Sequence, residues 1–139
     1  MLPEISSIEA ATSYADRFKP VSTHLTASLQ HLANRTSPDF RNSIKESISA
    51  VEAACQIITG QPSATLGQAV KKLEDSGVKL HAAFKGALEK MYGYTNDAEG
   101  IRHALLEEST LDTDDARFML ISCSAFVNYL KAKSSKSSK

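Results

Sequence analysis

The stretch Ser37-Pro38-Asp39-Phe40-Arg41-Asn42-Ser43-Ile44-Lys45-Glu46-Ser47-Ile48-Ser49-Ala50-Val51-Glu52-Ala53-Ala54-Cys55-Gln56-Ile57-Ile58-Thr59-Gly60 is a helix written with its own start and stop. Ser37 is suited to an N-cap, Pro38 to the first helical position and Asp39 to the positive end of the helix dipole. Ile44, Ile48, Val51, Cys55 and Ile58 follow at i, i+4, i+7, i+11 and i+14, which puts them on one apolar stripe. Gly60 ends the helix and Pro62 keeps it from resuming. The opposite face carries Arg41, Asn42, Lys45, Glu46, Ser49 and Glu52.

Working outward, the same period recurs on both sides. A helix is expected over Ile8 to Phe18 with Ser7 as N-cap, a break at Pro20, and a second helix over Val21 to Asn34 with Leu25, Leu29 and Leu32 on one face. Leu66, Ala69, Val70 and Leu73 mark a short fourth helix ending near Gly77, and Leu80 to Met91 a fifth ending at Gly93. Tyr94 to Asp112 reads as a polar connection with a short helix around Ile101 to Glu107. Asp112 or Thr113 caps a last helix with two apolar rows: Phe118, Ile121, Ala125 and Tyr129, then Met119, Phe126 and Leu130. A helix apolar on two sides is either central or shared with a second subunit. No stretch alternates with period two. The expectation is therefore all-α: a single compact bundle of four to six helices over residues 1–131, with 132–139 a disordered Ser/Lys tail.

Composition narrows the function classes. The 139 residues carry 16 basic and 16 acidic groups, but Lys131, Lys133, Lys136 and Lys139 crowd the end, and the rest is net −4 (12 minus 16). That balance disfavours a general nucleic-acid binder, which would show a basic surface. Cys55 and Cys123 sit in apolar stretches away from metal-ligand spacing and read as buried thiols, with a bridge left open. The first residues lack a basic n-region and an apolar h-region, and no apolar run reaches spanning length. A cytoplasmic protein without membrane contact is expected. His24 and His31 stand two turns apart, too far to chelate one ion, and no HExxH, CxxC or phosphate-cradling glycine loop occurs, so neither metal nor cofactor is expected.

Two places have residues suited to chemistry. One is the polar face of the third helix, where Asn42 and Ser49 are poor helix formers whose presence asks for specific hydrogen bonds. The other is the connection Tyr94 to His103, where Arg102 and His103 stand in a strongly acidic span. Arg102 suits an anion clamp and His103 a general acid or base. A salt-bridged structural pair is the alternative. The two places are expected to meet in one cleft, with Glu46 or Glu52 as the partner of Arg102.

Three segments carry a family resemblance. Pro38 to Glu52, the pair Tyr92-Gly93-Tyr94-Thr95-Asn96-Asp97 and Gly100-Ile101-Arg102-His103, and Ser122 to Leu130 together resemble bacterial abortive-infection proteins of the AbiJ type, over about Pro20 to Lys131. The resemblance implies a HEPN-like helical domain in phage defence, acting on RNA as a metal-independent endoribonuclease or as a non-catalytic dimerisation, RNA-binding or nucleotide-binding module. If Arg102 and His103 are the catalytic residues, then Arg41, Asn42, Lys45, Glu46, Glu52, Tyr94 and Asp97 are the expected substrate-binding or site-wall residues. The resemblance also implies a homodimer through the last helix, and an N-terminal or partner defence domain. Arg102 and His103 are adjacent, where the nuclease signature has Arg-x4-6-His. Arg17 and His24 match that spacing, but Pro20 lies between them and the match reads as chance.

Overall fold

The structure, a computed structural model, describes residues 3–83, 85–86, 89–90 and 111–137. Five helices run through these residues: α1 (Pro3–Ala11), α2 (Lys19–Ala33), α3 (Phe40–Thr59), α4 (Leu66–Asp75) and α5 (Thr113–Ser137). They form the expected all-α bundle, with no strand among the described residues. The pieces 82–83, 85–86 and 89–90 are helical as well, within the expected fifth helix.

The long stretch behaves as its pattern requires, with one shift at its start. Asp39, rather than Ser37, is the N-cap of α3: its carboxylate accepts from the backbone N–H of Asn42 at 3.0 Å. Asp reaches that donor as well as Ser does, so Pro38 ends up before the helix instead of inside it. Gly60 closes α3 at φ 73°, a left-handed conformation that costs glycine nothing. Beside it, Lys72 of α4 donates its ammonium to the Thr59 carbonyl at 3.1 Å, satisfying one of the orphan acceptors there. α4 begins with a capping box between Thr65 and Gln68.

α3 is buried on two sides. Ile44, Val51, Cys55 and Ile58 enter the main core with Leu66, Val70 and Leu73 of α4 and Met119, Leu120, Cys123, Val127 and Leu130 of α5. Both cysteines are free and buried, and burial pushes each thiol up to about 12, so neither is a ready nucleophile. The second side of α3 meets α2 through serines. Ser28 Oγ donates to the Ser43 carbonyl at 2.7 Å, and Ser43 Oγ donates back to the Ser28 carbonyl at 2.9 Å. Ser47 Oγ lies 2.8 Å from Ser28 Oγ and completes the set as its donor. All three are fully buried. Small side chains let the two backbones approach closely enough for these reciprocal bonds.

Three boundaries and one helix face depart from expectation. α1 starts at Pro3 and ends at Ala11, earlier than Ile8 to Phe18. Pro20 opens α2 rather than interrupting a helix, because proline is tolerated in the first turn where its missing N–H has no partner to lose. Leu29 is exposed, since the face of α2 turned inward is Val21, Ser22, Leu25 and Ser28. The Ser/Lys tail is helical to Ser137 rather than disordered from 132, and Ser134 keeps only 3% of its surface. Its hydroxyl bonds to the Lys131 carbonyl at 3.0 Å, and Lys133 lies over the Tyr129 ring at 5.6 Å. Those local contacts extend the last helix of the bundle by nearly two turns.

The first residues are tied to α5 by polar groups. Tyr14 donates its hydroxyl to Asn128 Oδ1, and Asn128 Nδ2 donates to the Ser7 carbonyl at 2.9 Å. Lys131 pairs with Asp16 at 3.1 Å and covers the Tyr14 and Phe18 rings. Burial, with Asp16 nearby, raises the Tyr14 phenol to about 12, so it stays a neutral donor. The Phe18 N–H, which donates to the Asp16 carboxylate, and then the Lys131 salt bridge hold that carboxyl below its ordinary range.

Candidate functional site

The polar face of α3 divides into two concavities, each set by a different neighbour. The first lies at the start of the helix. Ser37, Pro38, Asp39, Phe40, Arg41, Asn42 and Leu111 enclose about 460 Å³, open to solvent. Asn42 is spent on capping here: its amide donates to Asp39 Oδ2 at 2.7 Å and its backbone N–H to Oδ1. Those two bonds hold the Asp39 carboxyl below its ordinary range, so it is charged at neutral pH. Arg41 is half-buried in this wall, and Lys45 is exposed one turn further on.

The second concavity is mid-helix, between α3 and α2. His24, Ser49, Glu52, Ala53 and Gln56 line about 260 Å³. His24 of α2 reaches Glu46 of α3, with Nδ1 at 2.7 Å from Oε2. A carboxylate acceptor at this distance suits an imidazole that donates its Nδ1–H, which fixes the ring's orientation. His24 was legible in the sequence only as a partly exposed histidine; what the sequence lacked was the register of α2 on α3, which the serine seam sets.

The expected wall residues are thus shared out rather than gathered. Arg41 and Asn42 belong to the first concavity, Glu52 to the second, and Glu46 is engaged by His24. The N-terminal end of the face carries Arg41 and Lys45 beside the Asp39 carboxylate, and Glu46 and Glu52 stand further along. Ser49 is half-buried in the second concavity, whereas Asn42 is exposed and serves the cap. Tyr94, Asp97, Arg102 and His103 lie outside the described residues, as does the expected pairing of Arg102 with Glu46 or Glu52. Arg17, half of the chance signature, sits over the Phe18 ring at 5.0 Å, ahead of α2.

Among the described residues no group of three His, Cys, Asp or Glu is placed to hold a metal ion. No described helix is long and apolar enough to cross a membrane. The described part of this face is of mixed charge: Asp39 and Arg41 together at the start of α3, and Glu52 in the groove beside His24. Compared with known proteins, the chain matches no family model, no curated protein and no solved structure.

Proposed function

We propose that this chain is a HEPN-like helical module of the abortive-infection type that works as a homodimer joined through the outer face of α5. The observation that carries this reading is the row Phe118, Ile121, Ala125 and Tyr129, of which Phe118 and Ala125 are exposed and Ile121 and Tyr129 half-buried, while Met119 and Leu130 are in the core. Phe118 is 59% exposed. A single exposed apolar residue is ordinary; Phe118 beside exposed Ala125 and half-buried Ile121 and Tyr129 on one helix face supports a partner surface. Facing helices of one element per subunit make a small interface, so the dimer belongs in the micromolar range. Light scattering from low to high micromolar concentration tests it. Dimer formation supports the reading, and a monomer throughout would end it.

A second, RNA-directed reading is favoured by Leu111. This residue, the first described after the span that holds Arg102 and His103, lines the same concavity as Arg41 and Asn42. In this reading Arg41 and Lys45 take phosphate at the start of α3, against the nearby Asp39 carboxylate, while Glu46 and Glu52 repel it further along. His103 moves protons as a ribose 2′-hydroxyl attacks the adjacent phosphorus and the 5′-oxygen leaves, and Arg102 stabilises the charged transition state. RNA cleavage in EDTA that disappears in His103→Ala with the fold intact supports a nuclease. RNA binding without cleavage supports the non-catalytic module.

A further inference from the structure

Six residues on the outer arc of α5 are spaced as a palindrome. Asp114, Phe118, Ser122, Ala125, Tyr129 and Lys133 follow at intervals of 4, 4, 3, 4 and 4. At about 100° per residue they fall within an arc of about 100°. From Asp114 to Lys133 the arc runs roughly 28 Å along the helix. Read from either end, the order is charge, aromatic, small, small, aromatic, charge, and the two end charges are opposite. Asp114, Phe118 and Ala125 are exposed; Ser122, Tyr129 and Lys133 are half-buried. Lys133 lies over the Tyr129 ring at 5.6 Å, so the basic end of the arc is continuous with its aromatic. Lys131, by contrast, turns inward to Asp16.

We infer that α5 pairs with α5 of a second copy in antiparallel register, crossing between Ser122 and Ala125. This rests on the dimer reading above and adds its orientation. A two-fold interface must be self-complementary, each residue of one copy meeting its counterpart on the other. The antiparallel register meets that requirement throughout. Phe118 of one copy faces Tyr129 of the other, twice. Asp114 of one copy faces Lys133 of the other, twice. Ser122 and Ala125 meet at the crossing, where small side chains allow close approach of the backbones. A parallel pair would instead set Asp114 against Asp114 and Lys133 against Lys133, and like charges in contact oppose association.

Charge reversal within the full chain separates the two orientations. Asp114 is exposed, and the cap of α5 is made by Asp112 and Asp115 through bonds of 3.0 and 3.1 Å, so changing Asp114 leaves the cap in place. Asp114→Lys and Lys133→Glu should each weaken dimerisation about five- to tenfold, because each places like charges opposite one another at both ends. The double variant should restore it, and each protein's helicity by circular dichroism should match the parent's. A parent that dimerises while both single variants dimerise equally well overturns the antiparallel register and leaves the dimer reading standing. Single variants that weaken without rescue in the double variant also overturn the pairing. A parent that stays monomeric removes both.

Discussion

The α2–α3 seam and the outer face of α5 invert the usual distribution of side chains. The seam buries Ser28, Ser43 and Ser47 completely, while α5 leaves Phe118 mostly in water. Hydroxyls are inside because each has a partner: two carbonyls and one hydroxyl close the set at 2.7 to 2.9 Å. A buried polar group that is satisfied costs little, and one that is not costs far more than its size suggests. Phe118 is outside because no described element is stacked over its side of the helix. Burial in this fold follows from which partner is available at each position, and polarity comes second.

That contrast can be broken most severely within the seam. Ser47→Leu forces a large side chain between two close backbones and strands Ser28. A loss of about 3 kcal/mol or more is expected in urea unfolding. Ser28→Ala is smaller in volume but removes the group to which both other serines are joined. It should cost about 1–3 kcal/mol by the same measurement. Equal stability for this variant and the parent would mean that close packing, and not the hydrogen bonds, holds the seam.

Smaller effects sharpen the picture around it. Truncation after Lys131 removes the buried Ser134 and the Lys133 contact with Tyr129. A fall in melting temperature of about 2–4 °C is expected for roughly 1 kcal/mol in a domain of this length. Asp39→Asn keeps the capping oxygen but removes a carboxyl held below its ordinary range by Asn42. Because the folded-state pKa is the lower one, the parent's cap contributes fully above about pH 4 and loses that contribution as pH falls below it. The variant's stability should therefore fall less steeply with acid over that window. Phe118→Ser belongs at the end of the scale. Its monomer stability should stay within about 0.5 kcal/mol of the parent's while its self-association is lost, the reverse of the result for Ser47→Leu.

Much of the bundle was legible residue by residue. The stripe Ile44, Val51, Cys55 and Ile58, the stop at Gly60 and the two apolar rows of α5 were readable as periodicity, but that Met119 and Leu130 turn inward was not. The helix ends were less so: Asp39 in place of Ser37 is a choice between neighbouring residues with nearly equal capping ability, and α2 begins around Pro20 with no side-chain cap to mark it. The tail misled for a related reason. A Ser/Lys composition describes a segment that cannot build a core, but it says little about one that continues a long helix already anchored by Leu130 and Lys131.

For the candidate site, the sequence by itself determined the inventory: a mixed-charge face on α3, a histidine pair on α2, and an acidic start and basic end on α5. Their grouping was decided by tertiary structure. His24 meets Glu46, and Asn42 turns to its own cap, because the serine seam fixes how far α2 and α3 slide and how closely they approach. Local patterns are set by periods of a few residues, which a single chain displays openly. Register between two helices is set by the fit of small side chains 15 or 19 residues apart, as from Ser28 to Ser43 or Ser47, and only the packed chain brings them together.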